Sequence, residues 1–256
     1  MHIEGDADMA MASCERYHSL LSQVTGITDL HIYNDDLELV DIEPITLGPI
    51  HDHARHLDLK LLSLFALRLG NFYTQITNYL NIMGLSTLKL DECPGIQPLI
   101  RALTAACATE TPALRVLQIY LPFQRQEPEE GILKDIGDFL LSFSGLEELS
   151  MQLEDYGMVS KTSIINHKAT LQVLLISCWS GAPIRLAAAE LNDILLQCTS
   201  LEQLALSLDI GAQDPWIDMC RDSLGLAGVL SSITRTDTDL ARSMVVTRCI
   251  QVIGRD

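Results

Sequence analysis

Aromatic residues are scarce in this chain, at 5% of its 256 residues, while apolar residues reach 48%. A core of that composition is filled mainly by one aliphatic shape, leucine, and is large enough to exclude global disorder. Basic residues are also few: 17 against 34 acidic, a formal net charge of -17. A broad nucleic-acid footprint needs a basic face, and an anionic membrane surface selects one, so both partner classes are disfavoured. The seven cysteines, Cys14, Cys93, Cys107, Cys178, Cys198, Cys220 and Cys249, are odd in number and contain no CxxC pair. That pattern suits reduced, buried thiols rather than a disulfide framework or a zinc site. No apolar run approaches the roughly 18 residues of a membrane span. Met1 to Ala12 carry Glu4, Asp6 and Asp8 where a secretory signal has a basic start and an apolar centre. The expected compartment is cytoplasmic or nuclear.

Catalytic phrases are missing as well. There is no GxSxG elbow, P-loop, GxGxxG or HExxH. Scattered serines such as Ser163 and Ser177 do not bring a base and an orienting group with them. The run "HDHARH" supplies His51, His53 and His56, but it lacks a distant fourth ligand and an ordered second shell, so it is read as no metal site. The expectation is a protein that is not an enzyme and carries no cofactor.

What the chain does contain is a recurring phrase: apolar, two variable, apolar, one variable, apolar. It is complete at Leu85, Leu88 and Leu90, where Cys93 extends it to the LxxLxLxxC form. It returns at Leu114, Leu117 and Ile119, at Leu146, Leu149 and Met151, at Leu171, Leu174 and Ile176, and at Leu201, Leu204 and Leu206. Two weaker copies precede these, at Ile27, Leu30 and Ile32 and at Leu64, Leu67 and Leu69. The seven starts are separated by 37, 21, 29, 32, 25 and 30 residues. Between them lie segments with apolar residues at three- and four-residue steps, over 71–83, 96–108, 129–143 and 185–198, which predict helices.

Each unit thus reads strand, loop, helix, and a single unit cannot bury both its strand leucines and its helix face. The expected fold is α/β, a leucine-rich-repeat solenoid with a curved parallel sheet on the concave side and helices on the convex side. Its expected span is residues 18–210, after a short N-terminal segment at 1–17. Residues 33–58, with an acidic start and Pro44, Gly48 and Pro49, read as a loop insertion. Residues 211–256 carry five arginines and six acids and no copy of the phrase. They read as a C-terminal cap or a poorly ordered tail, with two weakly amphipathic helices, "WIDMCRDSLGLAGVLSSI" and "TDLARSMVVTRCIQVI". At the other end "CERYHSLLSQV" resembles the helix of a unit whose strand would lie ahead of Met1.

In such a phrase the single variable residue between the last two leucines faces outward. Through the seven copies it is His31, Arg68, Lys89, Gln118, Ser150, Leu175 and Ala205, and two positions further on come Tyr33, Tyr120 and Gln152. The stripe runs from basic through polar to apolar. It predicts a graded protein-binding groove whose first half accepts an acidic or phosphorylated segment.

The phrases "LSFSGLEELSMQL", "HKATLQVLLISCW" and "LLQCTSLEQLALSL" are similar to those of leucine-rich-repeat proteins of the ribonuclease-inhibitor-like type, and resemble fungal F-box/leucine-rich-repeat proteins. The likeness covers roughly residues 18–210. In that family an F-box docks the adaptor of a ubiquitin ligase and the repeats hold the substrate; no F-box is evident here. The resemblance implies a protein–protein interaction scaffold, the substrate-recognition half of such a protein. The alternative is a truncated or decaying copy with no independent function.

Overall fold

Residues 2–5, 27–34, 40–41, 58–69, 81–121, 131–153, 158–177, 188–209, 243–245 and 248–249 are described by the structure, a computed structural model. The chain divides into two units, Met1–Phe143 and Ser144–Asp256.

Alternation of leucine with other residues builds the first unit. Strands β1 (His2–Gly5), β2 (Asp29–Asn34), β4 (Leu61–Phe65), β6 (Thr87–Asp91) and β7 (Val116–Tyr120) form a parallel sheet in that order. A strand places successive side chains on opposite faces, so Leu62 and Leu64, Leu88 and Leu90, and Leu117 and Ile119 share one face. All six are 2% exposed or less, and the residues between them are half-exposed. The register sets Leu30, Leu62, Leu88 and Leu117 in one lateral row and Ile32, Leu64, Leu90 and Ile119 in the next. Leu59, Leu85 and Leu114, each three residues before its strand's first row, are buried too.

The strands are locked at both ends by backbone bonds that recur. Thr28 O accepts from Lys60 N at 2.6 Å and Leu61 N at 3.0 Å. Lys60 O accepts from Ser86 N and Thr87 N, both at 2.9 Å, and Ser86 O from Arg115 N at 2.8 Å and Val116 N at 3.0 Å. At the far end Ala66 N donates to Asp91 O and Glu92 N to Tyr120 O, each at 2.9 Å. Ala66 and Glu92 both turn the chain with positive φ, 54° and 52°.

Parallel strands need long crossovers. The one from β6 to β7 carries helix α1 (Gln97–Cys107), and a second helix, α2 (Ile132–Ser142), follows β7. Pro98 sits in the first turn of α1, where a missing N–H costs nothing. Leu99, Ile100 and Leu103 of α1, and Ile132, Ile136, Phe139 and Leu140 of α2, are buried. The two helices lie together, and Asp135 of α2 accepts from Gln97 Nε2 at 2.6 Å and Arg101 Nε at 2.9 Å of α1.

The second unit repeats this design. Strands β8 (Glu148–Gln152), β9 (Val173–Ser177) and β10 (Gln203–Asp209) are parallel, with α3 (Lys161–Ile165) and α4 (Ala188–Gln197) between them in sequence. Leu149, Leu174 and Leu204 form one row, and Met151 and Ile176 stand in the next. Glu147 O accepts from Gln172 N and Val173 N, and Gln172 O from Glu202 N and Gln203 N, at 2.8–3.0 Å. His167, 1% exposed, accepts at Nδ1 from Leu146 N at 3.3 Å, and Thr170 Oγ1 donates to Leu146 O at 2.7 Å. These side chains satisfy backbone groups that the turn before β8 leaves inside.

Four expectations from the sequence need correction. The second copy of the phrase is Leu59, Leu62 and Leu64, not Leu64, Leu67 and Leu69. The run "LKLLSLFALRL" satisfies both readings, and the neighbouring strand decides, because Leu62 pairs with Leu88 and Leu64 with Leu90. The first two intervals become 32 and 26 residues, from starts at 27, 59 and 85. Leu67 and Arg68 instead form a short strand, β5, parallel to β3 (Val40–Asp41) inside the expected loop insertion. Next, a strand precedes the "CERYHSLLSQV" segment within the chain, since β1 pairs with β2 through His2↔His31 and Ile3↔Ile32. The last expected helix is extended at β11 (Ser243–Val245) and β12 (Arg248–Cys249), which pair antiparallel with β10. An open sheet edge next to a β-branched run, Val245, Val246 and Thr247, outweighs weak helical periodicity. Finally, α3 was not anticipated. It is five residues long, and its start is set by Ser160, whose hydroxyl accepts from Ser163 N.

Candidate interaction face

With the register fixed, the half-exposed side of each unit can be read row by row. In the first unit the central row is His31, Ser63, Lys89 and Gln118. The row toward the strand starts is Asp29, Leu61, Thr87 and Val116, and the row toward the strand ends is Tyr33, Phe65, Asp91 and Tyr120. Neighbouring strands are about 4.8 Å apart, and successive rows along a strand about 6.6 Å. In the second unit the central row is Ser150, Leu175 and Ala205, flanked by Glu148, Val173 and Gln203 on one side and by Gln152 and Ser177 on the other.

Of the residues picked out from the sequence, His31, Lys89 and Gln118 do share a row, and Ser150, Leu175 and Ala205 share another. Tyr120 lies one row further along, with Tyr33 in register at β2. Ser150 differs from its neighbours in being 3% exposed. Arg68 does not belong to the face. It lies in β5 with Asp41 as its register partner, and Ser63 takes the position assigned to it. The stripe therefore loses its middle basic member, and the gradient inferred from His31, Arg68 and Lys89 rests on His31 and Lys89 alone. Sequence reading missed Ser63, Phe65 and Asp91. The Leu59, Leu62, Leu64 register would have found the first two, and the outward alternation of β6 the third.

Asp91 is the electrostatically distinctive residue of the face. Partial burial, and then the neighbouring Glu92 carboxylate, hold its carboxyl above the usual range. Behind it, Cys93 is 1% exposed and donates from Sγ to Asp91 O at 3.2 Å and Leu64 O at 3.4 Å. Its position closes the LxxLxLxxC phrase, and the thiol ties the turn after β6 back to β4. Burial pushes that thiol up to about 12. Burial also raises the thiols of Cys107 and Cys198, and all three are free. A protonated, buried thiol is a weak nucleophile, so Cys93 serves structure.

His51, His53 and His56 lie outside the described residues. Among the described residues no group of three or more histidine, cysteine, aspartate or glutamate side chains is placed to hold a metal ion, and no helix is long and apolar enough to cross a membrane. Comparisons with protein-family models, with curated proteins and with solved structures give no match.

Proposed function

We propose that this chain is a leucine-rich-repeat protein of the ribonuclease-inhibitor-like type whose half-exposed strand face binds another protein. The observation that carries the reading is the recurrent two-donor bond. One carbonyl, at Thr28, Lys60, Ser86, Glu147 or Gln172, takes two successive N–H groups from a later copy of the leucine phrase. Recurrence of a bond at a fixed place in a phrase is what stacked, equivalent units produce. In such a stack the leucine rows are consumed by packing, and the outward residue of each strand is left to vary with the partner. Residues that vary from histidine through lysine to leucine at equivalent positions suit that division. By resemblance the partner class is a substrate held for an F-box kind of ubiquitin ligase.

The test is a capture from native lysate with quantitative mass spectrometry, using the wild-type chain, a face variant and a control. The face variant is Phe65→Ala with Lys89→Glu, and the control is Glu110→Gln, exposed on the turn after α1. A set of proteins lost in the face variant and kept in the control supports the reading. A bound set that is identical for all three overturns it.

A further inference from the structure

We infer that the row Phe65, Asp91 and Tyr120 is a docking site for a basic side chain, arginine or lysine, presented by an extended segment of a partner protein. This deepens the proposed interaction role of the same face and rests on it.

The argument starts from register. Phe65 pairs with Asp91 and Asp91 with Tyr120, so three adjacent strands place ring, carboxylate and ring side by side. All three residues are half-exposed. At the usual strand spacing the two ring positions are about 10 Å apart with the carboxylate midway. A cation seated over Asp91 is then one strand spacing, about 5 Å, from the backbone of each ring-bearing residue, a gap that a Phe65 or Tyr120 ring can close to within the roughly 6 Å reach of a cation–π contact. A carboxylate alone attracts any cation, whereas rings on both sides select one that is flat or poorly hydrated, and a guanidinium is both.

The row is also held in advance of binding. Phe65 and Asp91 are the last residues of their strands, and the chain turns at Ala66 and Glu92 with positive φ. The Ala66 and Glu92 N–H groups are fixed to Asp91 O and Tyr120 O, and the Cys93 thiol is fixed to Asp91 O. The backbone of the row is thus set before a partner arrives, and only side chains remain to be ordered. Beyond the end of β6 the next residue is Glu92, an exposed second carboxylate. On the other side Lys89, two residues back on the same strand and the same face, repels a second positive charge over the central row. The favourable place for the cation is therefore over Asp91 rather than over Lys89. The carboxyl of Asp91, already held above its usual range by burial and Glu92, gains from a cation that restores its ionised form. A chain of net charge -17 also draws basic partners from a distance.

Fluorescence anisotropy with the full chain tests this directly. The probes are a short fluorescein-labelled glycine/serine peptide with two arginines and the same peptide with two glutamates, at about 0.15 M salt, where charges beyond roughly 8 Å are screened. The arginine peptide should bind the wild type. Asp91→Asn should weaken it by about tenfold, and Phe65→Leu with Tyr120→Leu, which keeps apolar bulk but removes the rings, by about fivefold. Glu110→Gln, which makes the same change in net charge on an exposed turn, should leave binding unchanged. Equal losses for Asp91→Asn and Glu110→Gln would mean net charge alone is responsible and overturn the site. So would binding of the glutamate peptide that disappears in Lys89→Glu, or an arginine peptide that fails to bind at all. None of these three results requires the lysate sets of the face variant and the control to be identical, so the site and the wider interaction role fail separately.

Discussion

The two units bury the same residues and display different ones. In both, leucines recur in lateral rows at 7% exposure or less, joined by the same two-donor backbone bond. The half-exposed side of the first unit carries His31, Lys89, Asp91, Phe65 and Tyr120. That of the second centres on Ser150, Leu175 and Ala205, without a charge in the central row. Packing constrains one face of a strand and leaves the other to be shaped by what it meets. Against that shared core, the proposed docking row is a feature of the first unit alone among the described residues.

The comparison can be attacked first through the shared core. Leu88→Ala in the first unit and Leu174→Ala in the second remove equivalent, fully buried side chains. Each should cost about 2–5 kcal/mol in urea unfolding, because transfer and cavity terms add. A cost confined to one of them would break the equivalence of the units.

The next effect separates the helix pairs. Asp135 is mostly buried and accepts from half-buried Gln97 as well as from Arg101, so Asp135→Ala should cost about 1 kcal/mol, chiefly through the Gln97 bond, since Arg101 is 62% exposed and can turn to water. The matching contact in the second unit joins Lys161 to Asp193 across α3 and α4, and both side chains remain partly open to solvent. Hydrogen bonding to Asp193 raises the Lys161 amine, but Lys161→Ala should leave the urea midpoint within error.

Cys93 provides a pH signature that belongs to the first unit. Its thiol is near 9.0 in the unfolded chain and about 12 in the fold, so the folded state holds the proton more tightly. The stability it contributes is complete below the unfolded value and drains as pH rises from about 9 toward 12. Cys93→Ala should flatten that part of the pH–stability curve. In the native protein Cys93 should resist alkylation at pH 8 while the half-exposed Cys107 reacts.

The smallest effect sharpens the assignment of the docking row. The raised carboxyl of Asp91 means that the fold favours its protonated form, so its ionised form opposes folding at neutral pH. The sign is therefore reversed from that of a salt-bridged carboxylate: stability is lost as pH rises through its titration. Asp91→Asn should raise the thermal midpoint slightly at pH 7 and not at pH 3. A group whose removal stabilises the fold and weakens binding fits a role in binding rather than in stability.

Much of the strand pattern was legible because burial has a period of two and leucine fills each buried place. The helices α1, α2 and α4 were legible for the corresponding reason at a period of 3.6. The register of β4 was not, since "LKLLSLFALRL" holds enough leucines for two alignments and only the lateral partner chooses between them. That five-residue slip carried Arg68 onto the face and left Ser63 and Phe65 off it. The strand β1 escaped notice because Ile3 is its single large apolar residue, and β11 and β12 because edge pairing with β10 is non-local. Asp91 lay in plain view in the phrase, but a carboxylate becomes distinctive only when rings are found on both neighbouring strands.

The two-donor bonds have a consequence for how the chain comes apart. In the first unit they link backbone groups 32, 26 and 29 residues apart, the distances from Thr28 to Lys60, Lys60 to Ser86 and Ser86 to Arg115. No bond of this series reaches past the adjacent phrase, so the first unit closes like a zipper, tooth after tooth, from wherever the first two teeth engage. Fraying runs the same way. The amides of Lys60 and Leu61, nearer the outer strands β1 and β2, should exchange with solvent sooner than those of Ser86 and Thr87 at the central tooth.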